Sequence, residues 1–237
     1  MDASSVPLTI GVVVFPGMTA LDALGPFEVL ARTPNSTAHL VWKDTEPVVG
    51  DTGLAVIPTM TFAQAPQLDV IVVPGGPGQN AHMDDHVLLD FLRRQAPGAQ
   101  WVTSVCTGSL LLAAAGLLTG YRATCHWMSL DFLRQFPVTV VPERVVVDRN
   151  RVTGGGVTSG IDFAFVVLAL LRGEPIARLT QLLLEYDPEP PFRSGHPKVA
   201  SADMVAAARA LAGPMLQKRE AAARAAAVRL AATPGPS

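Results

Sequence analysis

The chain has 237 residues, of which 49% are hydrophobic and 16% charged, with a formal net charge of −2. This length suffices for one α/β domain with a sizeable core, and the slight negative charge argues against nucleic acid as a partner. Two cysteines are too few for a disulfide framework and favour a reducing compartment. No apolar run reaches membrane-spanning length, and residues 1–7 lack the features of a signal peptide, so we expect a cytoplasmic protein without a membrane partner.

The first half of the chain alternates predicted strands and helices. Apolar, β-branched runs at 8–14 and 68–73 predict strands buried on both faces of a parallel sheet. A helix is expected over 18–32, with a kink or break at Gly25–Pro26, because an internal proline removes a helical hydrogen bond. A strand at 38–43 and a small hairpin within 47–58 complete this half.

The second half continues the alternation and ends in a helical tail. Strands are expected at 101–105, 138–141, 144–148 and 151–153, and helices at 84–95, 107–115, 128–136, 158–172 and 175–185. This order predicts one α/β domain, with a mostly parallel sheet and helices on both faces. We assign residues 1–200 to that domain. The Ala- and Arg-rich stretch 201–237 is predicted to be its helical extension, broken near Gly213–Pro214.

The most informative stretch is a β-rich run that ends in Cys106 and passes at once into a helical run. A strand–turn–helix with a thiol at the turn is the geometry of a nucleophile elbow. The amides after the cysteine and the helix dipole favour a thiolate, so we expect a lowered pKa for this thiol. The alternative is a buried structural cysteine, since free cysteines are commonly buried. The elbow context favours a functional thiol.

Two further features are expected at the same edge of the sheet as Cys106, because ligands bind beyond the carboxyl ends of parallel strands. Asp22 follows the first strand, and Gly75 and Gly76 follow the strand at 68–73. Asp22 also has a plainer interpretation, as an acid that satisfies amides at a helix N-terminus. The glycine loop lacks a phosphate-binding pattern, and we expect one of its amides to form an anion hole with that of Thr107.

If Asp22 reaches the sulfur of Cys106, the two groups form a coupled acid pair. Neighbouring negative charges raise each other's affinity for protons, so the pair would share one proton. Such a pair is suited to adding a nucleophile and a proton to one substrate.

His126 is the alternative partner for the cysteine. A Cys–His pair would indicate hydrolase or amidotransferase chemistry. No carboxylate lies at a spacing suited to orient the imidazole, which favours a structural histidine. The other histidines and Cys125 lack the spacing of metal ligands, and we expect no metal site.

Several motifs together resemble the PfpI/ThiJ superfamily over roughly residues 8–200, and within it the bacterial isocyanide hydratases. The superfamily motifs are Phe15-Pro16-Gly17, Leu21-Asp22, Gly25-Pro26, Pro74-Gly75-Gly76, Cys106-Thr107-Gly108, His126-Trp127, Gly154-Gly155-Gly156 and Gly160-Ile161-Asp162. Further likeness to the hydratases lies in Val41-Trp42-Lys43 and in the stretch from Gln181 to Phe192.

The resemblance implies a flavodoxin-like homodimer that adds water to a small-molecule isocyanide, R–N≡C, and releases an N-substituted formamide. It implies Cys106 as nucleophile, Asp22 as acidic partner, Thr107 as the threonine that follows the nucleophile, and Gly155 as a glycine close to it. Attack by Cys106 with transfer of the shared proton would give a thioimidate that water then hydrolyses, which needs no cofactor. Superfamily branches acting on glyoxals or peptides carry Glu in place of Asp22, which weighs against those activities.

Other functions stay open on the sequence. Similar domains occur fused to AraC-type DNA-binding domains, but the tail after Ser201 is short and Ala-rich, and the chain is acidic overall. A ligand or oxidation sensor needs an accessible thiol but no turnover. Another cysteine hydrolase or lyase would use the same site.

Overall fold

The computed structural model describes residues 6–232, so the expectations for residues 1–5 and 233–237 lie outside the described residues. The strands are β1 (Leu8–Val13), β2 (Ser36–Trp42), β3 (Val48–Val49), β4 (Ala55–Val56), β5 (Met60–Thr61), β6 (Val70–Val73), β7 (Trp101–Val105), β8 (Arg122–Ala123), β9 (Thr139–Val140), β10 (Val145–Asp148) and β11 (Arg151–Gly154). The helices are α1 (Ala20–Leu30), α2 (Gln79–His82), α3 (His86–Gln95), α4 (Gly108–Ala114), α5 (Leu130–Leu133), α6 (Ser159–Arg172), α7 (Glu174–Leu183) and α8 (Ala202–Ala232).

Seven of these strands form the main sheet, in the order β10-β11-β7-β6-β1-β2-β5. All neighbours pair in parallel except β10 and β11, which are antiparallel. The inner order β2-β1-β6-β7-β11 is that of flavodoxin-like sheets, whose ligands bind beyond the carboxyl ends of the strands. The predicted α/β fold with a mostly parallel sheet is confirmed.

The core lies between the sheet and the helices that cover it. The central strands β1, β6 and β7 are almost entirely buried, as their continuous apolar runs predict. On the helical layers, α1 packs against α6, and α4 packs against α3 and α8. Within residues 6–232, no helix combines the length and apolar character needed to cross a bilayer.

Two expected helix breaks are wrong. Helix α1 continues through Pro26, and α8 continues through Pro214 from Ala202 to Ala232. A proline removes one helical hydrogen bond, but burial of the surrounding residues can offset that loss. Pro26 is buried in α1, whereas Pro214 of α8 is exposed, so burial accounts for the continuous helix in α1 only. The packing of α8 onto α2, α4 and α5 supports its assignment as an extension of the domain, although the division at residue 200 stays a prediction.

The expected strand at 138–141 is present but joins a different sheet. Its core, β9, pairs in parallel with β8, and these two strands form a separate small sheet. Sequence patterning predicts extended backbone but not the partner strand, because pairing is decided by tertiary contacts.

Close packing of α4 against the end of β6 sets the geometry of the elbow. A Cβ atom on Gly108 would overlap the carbonyl oxygen of Val73 and lie 2.7 Å from that of Pro74. Both neighbours are backbone atoms, which cannot move aside as a flexible side chain can. Glycine is therefore required where the helix begins.

We expect Gly108→Ala to lower the free energy of unfolding by about 2 kcal/mol, because the added methyl group overpacks a rigid contact. The matched control is Gly213→Ala in α8, where a Cβ atom would meet nothing within 4 Å. The helix propensity that alanine adds there is opposed by the ring of Pro214, which crowds the Cβ atom of the preceding residue, so the stability should change by less than about 0.5 kcal/mol. Urea denaturation of both variants measures the difference, and equal stabilities would contradict this account of the elbow.

Candidate active site

Cys106 occupies the turn between β7 and α4, with a φ of +57° and 5% of its surface exposed. Its backbone N–H donates to the carbonyl oxygens of Gly154, at 3.0 Å, and Gly155, at 2.7 Å. A left-handed backbone is uncommon for a residue other than glycine and persists where its surroundings hold it, often at active sites. The predicted elbow is present, with its cysteine pinned to the end of β11.

Asp22 lies in the first turn of α1, is fully buried and meets the elbow. Its Oδ2 accepts the N–H of Gly75 at 3.1 Å, and within residues 6–232 Oδ1 has no donor in regular hydrogen-bond geometry. Burial raises the pKa of Asp22 to about 7, while interaction with the Cys106 thiol and the Gly75 amide lowers it. The structure thus brings the predicted carboxyl and thiol together.

The expectation of a lowered pKa for the Cys106 thiol is wrong. Burial raises this pKa well above its ordinary value, and the charge of Asp22 raises it further. The backbone amides of Val157 and Thr107 lower the same pKa but do not outweigh burial. The other expectation, that the two acids raise each other's proton affinity, holds in one direction only: the charge of Asp22 raises the pKa of Cys106, whereas the interaction with the thiol lowers the pKa of Asp22.

The glycine loop after β6 has a different function from the one predicted. The amide of Gly75 is bonded to Asp22, and the amide of Gly76 donates to Thr107 Oγ1 at 3.0 Å. The Thr107 hydroxyl in turn donates to the Gly76 carbonyl at 3.4 Å. The prediction that a Gly75 or Gly76 amide forms an anion hole is therefore wrong, because both amides are bonded to side chains of the site. The Thr107 amide does interact with the sulfur of Cys106.

Gly155 contacts the nucleophile through its carbonyl group and not through its amide. That carbonyl accepts the Cys106 N–H, while the Gly155 amide is bonded to the carbonyl oxygen of Arg144 at 2.8 Å. Of the four residues 154–157, it is Val157 whose amide acts on the sulfur, and sequence analysis did not single it out. Its φ of +29° presents that amide, and β-branched residues rarely adopt positive φ values, so the sequence carried no signal for it.

His126 lies near the site but forms no catalytic pair. Its Nδ1 accepts the N–H of Met128 at 3.3 Å, which leaves the proton of the neutral ring on Nε2. Burial and the nearby charge of Arg219 lower the pKa of His126 to about 4. Among the described residues no carboxylate bonds to the ring, so the geometry is not that of a Cys–His–acid triad.

A cavity of about 890 Å³ opens beside the elbow. Gly155 and Val157 belong both to its wall and to the neighbours of Cys106, which does not itself line it. The remaining wall combines apolar and cationic side chains from several elements, including Trp127, Leu130, Arg144, Lys198, Val205 and Arg209. Residues 195–198, which precede α8, also line the cavity.

Helix α8 also contributes a buried arginine that sequence analysis noted only as part of the tail. Arg219 is 3% exposed, and its Nη2 donates to the carbonyl of Gly76 at 3.4 Å. The available signal was its spacing, since positions 219, 223 and 226 share one face of a helix and are the buried positions of α8. Burial of this face is decided by tertiary contacts, which the sequence does not show.

Comparison with known proteins places this geometry in a family. The model of the DJ-1/PfpI family matches residues 9–170. Over 212 residues the chain is 52% identical to an isonitrile hydratase of Pseudomonas putida, covering 90% of this chain and 93% of the relative. The crystal structure of a ThiJ/PfpI family protein from Pseudomonas syringae superposes with a TM-score of 0.89 at 42% identity, covering 92% of this chain and 91% of that one.

A second kind of relative is regulatory. The HTH-type transcriptional regulator GbdR of Pseudomonas aeruginosa is 30% identical over 191 residues, which are 76% of this chain and 51% of the regulator. The chain thus spans about half the length of that regulator but nearly all of the isonitrile hydratase. The family model, the relatives and the superposition agree that this chain belongs to the DJ-1/PfpI family.

Proposed function

We propose that the protein is an isocyanide hydratase, a lyase that adds water to R–N≡C and releases R–NH–CHO. The observation that carries this proposal is 52% identity to an isonitrile hydratase over 90% of the chain. The buried Asp22–Cys106 pair supports it, because it places a nucleophile and a proton donor side by side. Both are required, since the terminal carbon of an isocyanide takes up a nucleophile and a proton.

In the first step of the proposed mechanism, Cys106 Sγ attacks the terminal carbon while the proton shared with Asp22 moves to that same carbon. The product is a thioimidate, R–N=CH–S–Cys106, and Asp22 is left as a carboxylate. The raised pKa of Asp22, about 7, keeps this proton available near neutral pH.

In the second step Asp22 takes a proton from water as the water oxygen attacks the thioimidate carbon, and it passes this proton to the nitrogen, which gives R–NH–CH(OH)–S–Cys106. Collapse of this tetrahedral adduct breaks the C–S bond, and the thiol regains its proton as the formamide leaves. One water is consumed in each turnover. The amides of Thr107 and Val157, which act on the sulfur in the resting site, would stabilise its charge at attack and at departure.

The remaining predicted site residues act as supports in this proposal. Gly75 holds Asp22 through its amide, while Gly76 holds Thr107. Gly155 fixes the elbow and borders the cavity that we propose receives the R group. An aryl or alkyl substituent would contact Trp127 and Leu130 there.

An oxidation sensor is less well supported than an enzyme by the electrostatics of Cys106. Thiols that are oxidised readily are accessible and have low pKa values. Cys106 is 5% exposed and its pKa is raised by burial. The raised pKa suits a nucleophile that is deprotonated by its partner only when substrate is bound.

We expect Cys106→Ala to lower the rate of formamide formation by at least about 10³-fold, because the variant has no nucleophile to form the thioimidate. A spectrophotometric assay with an aryl isocyanide, with the product identified by mass spectrometry, measures this. Cys125→Ala is the matched control: Cys125 is buried and influences the pKa of Cys106, but it forms no bond to the substrate in the proposed reaction, so most of the rate should remain. Absence of turnover by wild-type protein with a reduced thiol, across aryl and alkyl isocyanides, would refute the proposed function.

We expect Asp22→Asn to abolish turnover and to stabilise the fold increasingly as pH rises from about 4 to 7. A folded-state pKa of about 7 against an ordinary 3.8 means that the native protein retains a proton that the unfolded chain loses in this window. Wild-type stability therefore falls here by up to about 1.4 kcal/mol per pH unit through Asp22, and asparagine removes that loss. Denaturant unfolding at pH 4 to 8 measures the difference.

The control for Asp22 is Glu189→Gln, which also replaces a carboxylate by an amide, but on an exposed loop, and which should leave turnover unchanged. A constant difference between Asp22→Asn and wild type from pH 4 to 8 would contradict the raised pKa. Full activity of Asp22→Asn would contradict the proposed roles in proton transfer.

We also propose that the protein is a cytoplasmic homodimer, as the resemblance to isocyanide hydratases implies. Four exposed leucines on the outer helices supply apolar surface that is typical of an interface, namely Leu170, Leu179, Leu182 and Leu183. Light scattering after size-exclusion chromatography should give twice the chain mass of 24.9 kDa. A mass of one chain across the working concentration range would contradict the dimer.

A further inference from the structure

Helix α8 places a charged side chain inside the domain with only neutral partners. Arg219 donates from Nε to Asn80 Oδ1 at 3.1 Å, from Nη1 to Ser129 Oγ at 3.0 Å and from Nη2 to the Gly76 carbonyl at 3.4 Å. Within residues 6–232, no carboxylate forms an ion pair with it. Arg224 of the same helix differs, because it is exposed and pairs with Glu220 at 2.9 Å.

A buried cation without a counter-ion is costly. Guanidinium groups stay protonated in proteins, and burial without a paired charge opposes folding even when the hydrogen bonds are satisfied. Burial lowers the pKa of Arg219, whereas interaction with the thiolates of Cys125 and Cys106 raises it. Both thiols are protonated near pH 7, so the charge of Arg219 gains a compensating anion only when one of these sulfurs, such as that of the nucleophile, is ionised.

The ionisable groups around the nucleophile come from several elements. Asp22 on α1 acts on Cys106 directly, and the charge of Asp51 acts on Asp22. Cys125 also raises the pKa of Cys106, and its own pKa is raised to about 12 by burial. Since His126 is neutral near pH 7, the cation in this group is Arg219, which lowers the pKa of Cys125 and whose own pKa is raised by interaction with Cys106.

The contact with Gly76 gives Arg219 a second connection to the site. The Gly76 carbonyl accepts from both Arg219 and Thr107, and the Gly76 amide donates to Thr107. Arg219 therefore holds the peptide that orients the residue after the nucleophile.

We propose that Arg219 is a positioning residue of this active site, whose unpaired charge favours the form of the Cys106–Asp22 pair that carries its anion on sulfur. Above the pKa of Asp22, about 7, the pair holds one proton and one negative charge. When the proton moves from Cys106 Sγ to the Asp22 carboxylate, the negative charge moves to the sulfur, with which Arg219 interacts. The inference rests on the proposed function only in its use of Cys106 as the nucleophile.

The test measures the ionisation of Cys106 without any isocyanide. Wild type and variants are alkylated with iodoacetamide from pH 5 to 10, and peptide mass mapping separates Cys106 from Cys125. Arg219→Gln should slow alkylation of Cys106 near pH 7 by about tenfold, which is a rise of about one unit in its apparent pKa. Arg219→Lys keeps the charge and should restore most of that rate.

A second variant removes the net charge but keeps the guanidinium. Asn80→Asp places a carboxylate where Nε of Arg219 already has its acceptor, and the ion pair formed there should neutralise the arginine. It should slow alkylation in the same direction as Arg219→Gln, and it tests the proposal even if Arg219→Gln fails to fold. Arg224→Gln on the exposed face of α8 is the control and should alkylate like wild type.

Wild-type pH profiles in both Arg219→Gln and Asn80→Asp would overturn the proposal. A purely structural role would also overturn it: in that case Arg219→Lys would be as slow as Arg219→Gln, and Asn80→Asp would match wild type. The isocyanide assay tests the proposed function and not the role of Arg219. Predicted alkylation profiles with no hydration by wild type would refute the proposed function and leave the assignment of Arg219 in place.

Discussion

The active site depends on one close contact, between the glycine loop after β6 and the elbow after β7. A Cβ atom on Gly75 would overlap the backbone nitrogen of Thr107 and lie 3.0 Å from Cys106 Cβ. Because this glycine admits the approach, its amide reaches Asp22 and the next amide reaches the Thr107 hydroxyl. This backbone contact therefore brings the acid of α1 together with the nucleophile and the threonine of the elbow.

The pKa values in the site are set by burial, which disfavours charge, and by a few amides and one cation that favour it. Burial raises the pKa of both Asp22 and Cys106, so the resting pair retains protons. The amides of Thr107 and Val157 and the charge of Arg219 act in the opposite direction, toward negative charge on sulfur. Such a site holds the thiol inert in water yet lets it ionise against a substrate at small cost, since its dipoles are already oriented.

The buried strands and the elbow could be predicted because strands covered on both faces need continuous apolar runs, and Cys106 ends one of them. Asp22 could be placed nearby by topology alone. Which backbone groups contact Cys106 could not be predicted. Gly155 contacts it through its carbonyl and Val157 through its amide, because of torsion angles that residue type does not determine. The burial of Arg219 could not be predicted, because it depends on which face of α8 packs against the domain.

Because the Gly75 amide is bonded to Asp22, the length of the acidic side chain and the position of the glycine loop depend on each other. A glutamate at this position would be one methylene longer, and it would either lose the amide or press its carboxyl group onto Cys106. A change of acid therefore calls for a compensating shift of the loop, and the loop in turn contacts the elbow. Substitutions at Asp22 and in the glycine loop should therefore show strong epistasis, so that the effect of changing the acid depends on the residues present in the loop.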